Sequence, residues 1–260
     1  MSQELSYWFL IKSGKILLHK EGSTLTIPIQ KDPPFPIPED SIIHNIGQAN
    51  DTECKAFELK EEIEENDLWK MTDLRSSFYL LDPLMIAMAG KSNEIINWST
   101  KCKFCSACGN KLEQVKPITR QCPKCKSRYH PIISTCIIVR ITKGDDIFLV
   151  HAKTFKGPHF SLVSGYLEPG ETLEECLIRE VKEETNFEVQ NIQYFGSQPW
   201  PFPSQMMVAY SCEYKSGELK LQESELTEGR FFNIDELPEL PPKFAIARQM
   251  IDDWVQKKKH

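Results

Sequence analysis

The chain has 260 residues, 40% hydrophobic and 26% charged, which is enough for one large domain or two ordinary ones. Its net charge of -6 argues against a general nucleic-acid binder. The apolar run Tyr7 to Ile11 is far too short to span a membrane, and Glu4 precedes it where a secretory signal would be basic; the Lys-Lys-Lys-His end matches no retention or peroxisomal address, so a soluble cytoplasmic protein is expected, with no membrane partner.

From residue 1 to about 100, short apolar stretches (YWFLI, KILLHK, LTIPI, SIIHNIG, KAFELK) alternate with turn-like segments such as Pro33 to Asp40. A helical pattern then runs from Ser76 to Trp98. The reading is an N-terminal α/β domain over 1–100 without evident chemistry, and the acidic run Glu61 to Asp67 within it reads as solvated surface.

Residues 101–130 form a distinct basic insert. Between Lys101 and Arg128 eight Lys and Arg stand against the single acid Glu113, a local charge of +7 that leaves -13 for the rest. Cys105 to Cys108 and Cys122 to Cys125 are two Cys-x2-Cys knuckles, and four thiolates so paired suit a structural tetrahedral zinc. Cys102 makes a competing spacing with Cys105, and the Gly109 turn favours 105 with 108. Cys54, Cys136, Cys176 and Cys212 lie in apolar contexts that suggest inert buried thiols.

Residues 131–260 form the third domain. STCIIVRI, DDIFLVHA, NIQYFG, MVAYSCEY and EGRFFNI read as strands, 172–185 as a helix, and PPKFAIARQMIDDWVQKK as a closing helix. Thr172 with Glu175 forms a capping box, and Asn186 suits a left-handed C-terminal cap. On a helical wheel at about 100 degrees per residue, Glu180 and Glu184 fall within roughly 20 degrees of Leu173 and Glu183 roughly 80 degrees away, on the side of Cys176, Leu177 and Val181. Inward carboxylates three and four apart repel one another and are costly without a cation. Hard oxygen ligands select Mg2+ or Mn2+.

The pattern Gly165, Glu171, then Arg179-Glu180-Val181-Lys182-Glu183-Glu184 resembles the Nudix box, with Asn186 standing where Gly is usual. The resemblance implies an α-β-α Nudix fold. It also implies a metal site made by Gly165 through its carbonyl, Glu180, Glu183, Glu184 and Glu228, with Glu183 or Glu184 activating water and an Arg179–Glu171 ion pair orienting the helix. Read on its own residues, Glu228 is a solvated acid, and His151 and His159 are satisfied structural histidines.

Ser197 to Met207 (SQPWPFPSQMM) reads by itself as either a packing loop or a wall for a flat ring. It resembles the SQPWPFP segment of the NADH pyrophosphatase (NudC-type) family, as do the ribbon before the Nudix domain and ELPELPPKFAIARQMIDDW. The N-terminal domain matches only in position and size. What this implies is a homodimer that hydrolyses NAD(H) to nicotinamide mononucleotide and AMP. Its implied substrate contacts are Tyr166, His130, Gln198, Trp200, Phe202, Gln205, Met207 and Ala247. His130 replaces the usual Tyr, and Ser204-Gln205 reverses the usual order. NAD-capped RNA, ADP-ribose or a non-catalytic nucleotide sensor stand as alternatives, the +7 insert favouring RNA.

Overall fold

The computed structural model describes residues 5–259; Glu4 and His260, used above in reading the two ends, lie outside the described residues. The chain divides into two compact units. One runs to Ile132 and takes in Pro201–Ser204; the other is Ile133–Trp200 with everything from Gln205 onward.

The first unit begins with strands β1 (Ser6–Lys12), β2 (Lys15–Glu21), β3 (Thr24–Thr26), β4 (Ile29–Gln30), β5 (His44–Ala49), β6 (Thr52–Glu58) and β7 (Trp69–Asp73). They form one sheet in the order β3-β2-β1-β6-β5, with β4 added to β1 and β7 to β2. The YWFLI run is its middle strand. Alternation along β1 sends Phe9 and Ile11 into one core and Trp8 and Leu10 into another. Helices α1 (Leu74–Ser77) and α2 (Pro83–Lys101) follow, and α2 supplies Met85, Met88, Ala89, Ile95 and Ile96 to the Phe9 core. The helical pattern that starts at Ser76 is broken because Asp82 caps α2, its carboxylate accepting from Leu84 N and Met85 N, with Pro83 in the first turn. Glu62 and Glu65 of the acidic run pair with Lys15 and Lys20 at the surface.

The cysteine-rich insert belongs to this unit and carries the three-stranded antiparallel sheet β8 (Glu113–Lys116), β9 (Thr119–Gln121) and β10 (Arg128–Tyr129). Arg120 is buried beneath it, donating to Ser99 O, Ser99 Oγ and Cys102 O. Phe202 also packs in this unit, its ring centroid 5.6 Å from that of Phe78 and 4.6 Å from the Arg75 guanidinium.

The second unit holds β11 (Ser134–Lys143), β12 (Asp146–Ala152), β13 (Val163–Tyr166), α3 (Leu173–Thr185), β14 (Glu188–Trp200), β15 (Gln205–Ser216), β16 (Leu226–Phe232) and α4 (Ile246–Lys258). The sheet order is β14-β15-β11-β12-β16, with β13 added to β11; β11 and β15 run parallel. The short strand β13 is absent from the sequence reading, since Val163–Tyr166 is too brief to show a period. Alternation on β11 and β12 makes the sandwich. Ile137, Val139, Ile141, Phe148 and Val150 meet Cys176, Leu177 and Val181 of α3, while Ile138, Ile147 and Leu149 meet Ile246, Ala247, Met250 and Trp254 of α4. This is the α-β-α layering expected. Cys54, Cys136, Cys176 and Cys212 are buried. No helix among the described residues is long and apolar enough to cross a membrane.

Candidate active site and metal centre

Helix α3 is bounded as its sequence requires. Thr172 accepts from Glu175 N, Glu175 reaches back to Thr172 N, and Asn186 ends the helix at φ 63° and ψ 13°. The helix therefore has little freedom to slide, and its carboxylates are placed by the backbone. Glu184 is 3% exposed, and Glu180, with a side chain 12% exposed, is nearly as enclosed. Glu183 departs from the expectation that all three carboxylates point inward: its side chain is 52% exposed although the wheel puts it beside the buried Cys176.

Gly165 on β13 sits directly against Glu180. A Cβ there would fall 1.8 Å from the Glu180 carboxyl carbon, so the glycine is needed for the approach of that side chain. Arg179 fastens the group together. Its Nε and Nη2 donate to the two oxygens of Glu171 (2.5 and 2.9 Å), Nη1 donates to Glu180 (2.8 Å) and Glu183 (3.3 Å), and Nη2 also donates to Tyr166 O (2.9 Å). The Arg179 contact and the Glu168 amide hold the Glu171 carboxyl down at about 2.

Glu184 has no such help. Its Oε2 is buried without a hydrogen-bond partner. Burial, then the charges of Glu180, Glu225 and Glu183, push its pKa up to about 8. Burial likewise raises Glu180, against the pull of Arg179. A buried carboxylate oxygen with nothing to bind, facing other carboxylates, fits a hard divalent cation.

Glu225 is a further acid near this group that the sequence did not single out. It precedes β16, its carbonyl accepts from Lys153 N, and its charge acts on both Glu180 and Glu184. Glu228, which the sequence did single out, lies in β16, where it is exposed and pairs with Arg230 at 3.6 Å. Glu223, Glu225 and Glu228 occur within six residues, and no periodicity in the sequence separates them.

The other expected contacts divide. Tyr166 is 55% exposed and its hydroxyl accepts a hydrogen bond from Gln205 Nε2. Trp200 stacks on Phe244 at 6.0 Å. Gln198 is occupied by the backbone ahead of α4, donating to Phe244 O and accepting from Ile246 N, each at 2.8 Å. Met207 and Ala247 face the α4 core. Phe202 and His130 belong to the first unit, where His130 Nδ1 lies 3.3 Å from Thr119 Oγ1 and Ile118 O. His151 has both ring nitrogens engaged, by Thr227 Oγ1 at 2.7 Å and Gly157 O at 2.9 Å, as a structural histidine should.

In the ribbon the sulfurs of Cys105, Cys108, Cys122 and Cys125 all lie within 4.8 Å of one another. Three of the separations are 3.4, 3.5 and 3.7 Å, close to the edge of about 3.8 Å that a tetrahedron with Zn–S bonds of about 2.3 Å would have. Cys102 is outside this cluster, which resolves the competing spacing. Tyr129 Oη accepts from Ser106 N at 3.0 Å and faces Cys105 Sγ at 3.1 Å, lowering the pKa of that thiol. The residues fit zinc in a closed four-sulfur site.

Comparison with known proteins agrees with both halves of the chain. The family described as the NUDIX domain matches residues 130–254, and the one described as an NADH pyrophosphatase-like rudimentary NUDIX domain matches residues 5–98. A Pseudomonas fluorescens protein named NAD-capped RNA hydrolase NudC is 38% identical over 217 residues, covering 83% of this chain and 78% of its own. One of the same name from Pectobacterium carotovorum is 38% identical over 71% of this chain and 72% of its own. Among solved structures, a NUDIX hydrolase from Nitrosomonas europaea superposes with TM-score 0.50 and 20% identity over 61% of this chain and 93% of its own, a likeness of fold.

Proposed function

This chain belongs to the Nudix hydrolase superfamily, in its NADH pyrophosphatase (NudC-type) family, and from that membership we propose that it hydrolyses the diphosphate bond of NAD(H), yielding NMN(H) and AMP. The observation that carries the proposal is the unpartnered buried Glu184 oxygen among Glu180, Glu183 and Glu225. These residues, with the Gly165 carbonyl, would hold Mg2+ or Mn2+. Such a cation, when bound, neutralises diphosphate charge and acidifies water.

The chain's own residues do the positioning. Arg179 locks α3 to the Glu171 loop and to the Tyr166 carbonyl. Glu183, the more exposed carboxylate of the helix, can reach a water on the open side and accept its proton as the water oxygen bonds to phosphorus and the bridging P–O bond breaks. The exposed Tyr166 ring, steadied by Gln205, offers a face to nicotinamide or adenine. Zinc holds the ribbon and takes no part in the reaction.

A second reading has a specific support: the two bacterial relatives are named for NAD-capped RNA, which presents the same bond at the end of a polynucleotide. A homodimer in the cytoplasm belongs to the same proposal. The test is chromatography of products from NADH, ADP-ribose and NAD-capped RNA with Mg2+ or Mn2+, for the natural protein and Glu184→Gln. AMP and NMNH from NADH, lost in the variant, support the first reading; cleavage of capped RNA alone supports the second; intact NADH with tight binding would mark a sensor.

A further inference from the structure

The first unit contains a cavity of about 1020 Å3 between the end of its sheet, the C-terminal half of α2 and the ribbon, at the upper end of the roughly 300–1,000 Å3 usual for ligand sites. Nothing in the diphosphatase reading uses it. Lys12, Lys60, Lys103, Lys111 and Arg120 line it, against Glu39, Asp40 and Glu58, so five cations face three acids for a net +2. Lys12 is taken by Glu58 at 3.2 Å, and Arg120 by the Ser99 and Cys102 carbonyls. Lys60, Lys103 and Lys111 form no ion pair among the described residues. In the acidic run Glu61 to Asp67, Glu62 and Glu65 are held by Lys15 and Lys20.

The zinc knuckle fixes what the ribbon presents to the cavity. Phe104 and Lys111 pair across a β-bridge, Leu112 N donates to Lys103 O at 2.9 Å and Cys105 N to Asn110 O at 2.8 Å. Lys103, Phe104 and Lys111 are thus held side by side by the backbone that carries Cys105. Phe104 is 64% exposed, an unusual position for a large ring fixed at the rim of a basic cavity. A second observation comes from His44, which also lines the cavity. His44 is 4% exposed, and its Nδ1 has no hydrogen-bond partner among the described residues. Burial and Arg120 keep that ring neutral, with a pKa near 4, so it offers a hydrogen bond and no charge.

Unpaired lysines, an exposed ring and an unsatisfied neutral imidazole ask for a ligand with spaced negative charge, a flat face and polar edges. We propose that this groove binds a single-stranded polynucleotide, with phosphates at Lys60, Lys103 and Lys111, a base on Phe104, and a base edge or hydroxyl at His44. Inorganic phosphate would leave Phe104 unused, and an acidic peptide would leave both rings unused. The inference stands apart from the diphosphatase reading, because it concerns other residues and binding without cleavage.

The test is fluorescence anisotropy with an uncapped, labelled oligoribonucleotide of about 12 nucleotides, added to the full zinc-loaded chain across a salt series. The expected result is binding whose salt slope falls by about 2 when Lys60, Lys103 and Lys111 are all changed to Gln, at about 0.7 per phosphate contact of a single strand. Phe104→Ala should weaken binding roughly tenfold with little change of slope. Zinc content, melting temperature and NADH cleavage should be unaltered in both variants. Absence of binding by the natural protein, an unchanged slope in the triple variant, or equal competition by polyglutamate or polyphosphate would each overturn the proposal. If the natural protein binds the oligonucleotide but leaves NADH intact, the diphosphatase reading fails and this one stands.

Discussion

Glu184 gives the structure its sharpest energetic test. Its pKa rises from 4.5 to about 8 on folding without divalent metal. Between those values the native state holds more protons on this group than the unfolded chain, so stability must fall as pH rises through the window. Below pH 4.5 the group contributes nothing, and above pH 8 its full cost is present. At about 1.4 kcal/mol per unit, the part of the window between pH 5 and pH 8 corresponds to about 3 kcal/mol lost by the metal-free protein. Glu184→Gln removes the titration but leaves a buried polar group, so the comparison lies in the pH dependence and not in absolute stability. The assay is urea unfolding at pH 5 and pH 8 after dialysis into buffer free of divalent ions and of chelator, which leaves the thiolate-bound zinc in place. The natural protein should lose about 3 kcal/mol more than the variant over that range, and millimolar Mg2+ should shrink the difference. Parallel pH profiles for the two proteins without Mg2+ would refute the claim that Glu184 is held at an electrostatic cost that a cation relieves.

Gly165→Ala should abolish at least about 99% of activity by driving the Glu180 carboxyl aside, while the melting temperature changes little because the clash is with a movable side chain; steady-state kinetics with thermal melts checks both. Glu225→Gln should raise the Mg2+ concentration needed for half activity by about tenfold or more, and Glu228→Gln should leave it unchanged, read from metal titrations of the rate. Cys125→Ser should lose zinc and unfold the ribbon, whereas Cys102→Ser should keep one zinc per chain by elemental analysis.

Helix α3 was legible because its signals are local. The capping box, the Asn186 stop and the wheel position of Glu184 each depend on residues within one or two turns. The ribbon was legible for the same reason, apart from Cys102, which its spacing alone could not exclude. Features set by distant contacts were not. Glu225 faces α3 because Gln222 N and Lys220 N bond back to Glu184 O and Thr185 O, a link no pattern near residue 225 reveals. Phe202 resembles a ring-binding residue in sequence, yet the four residues Pro201–Ser204 leave the second unit, and the ring joins the Phe78 core of the first. Gln198 has the chemistry of a substrate contact, and the start of α4 takes up both ends of its amide.

The placement of Arg179 explains how so many acids can stand together. Glu171, Glu180, Glu183, Glu184 and Glu225 bring five negative charges, and Arg179 is the cation bonded to three of them, so the group carries -4 when fully ionised. The guanidinium lies on the Glu171 side, where that carboxyl is held near 2, while Glu184 on the far side is left near 8. The electrostatic cost therefore falls on the buried carboxyls, on Glu184 most and on Glu180 beside it, both of whose pKa values are raised. One divalent ion would halve the remaining charge and two would cancel it, before a diphosphate adds its own. Arg179 secures the position of the carboxylates while cancelling one of their five charges, and the -4 that remains is what the proposed divalent cations would offset.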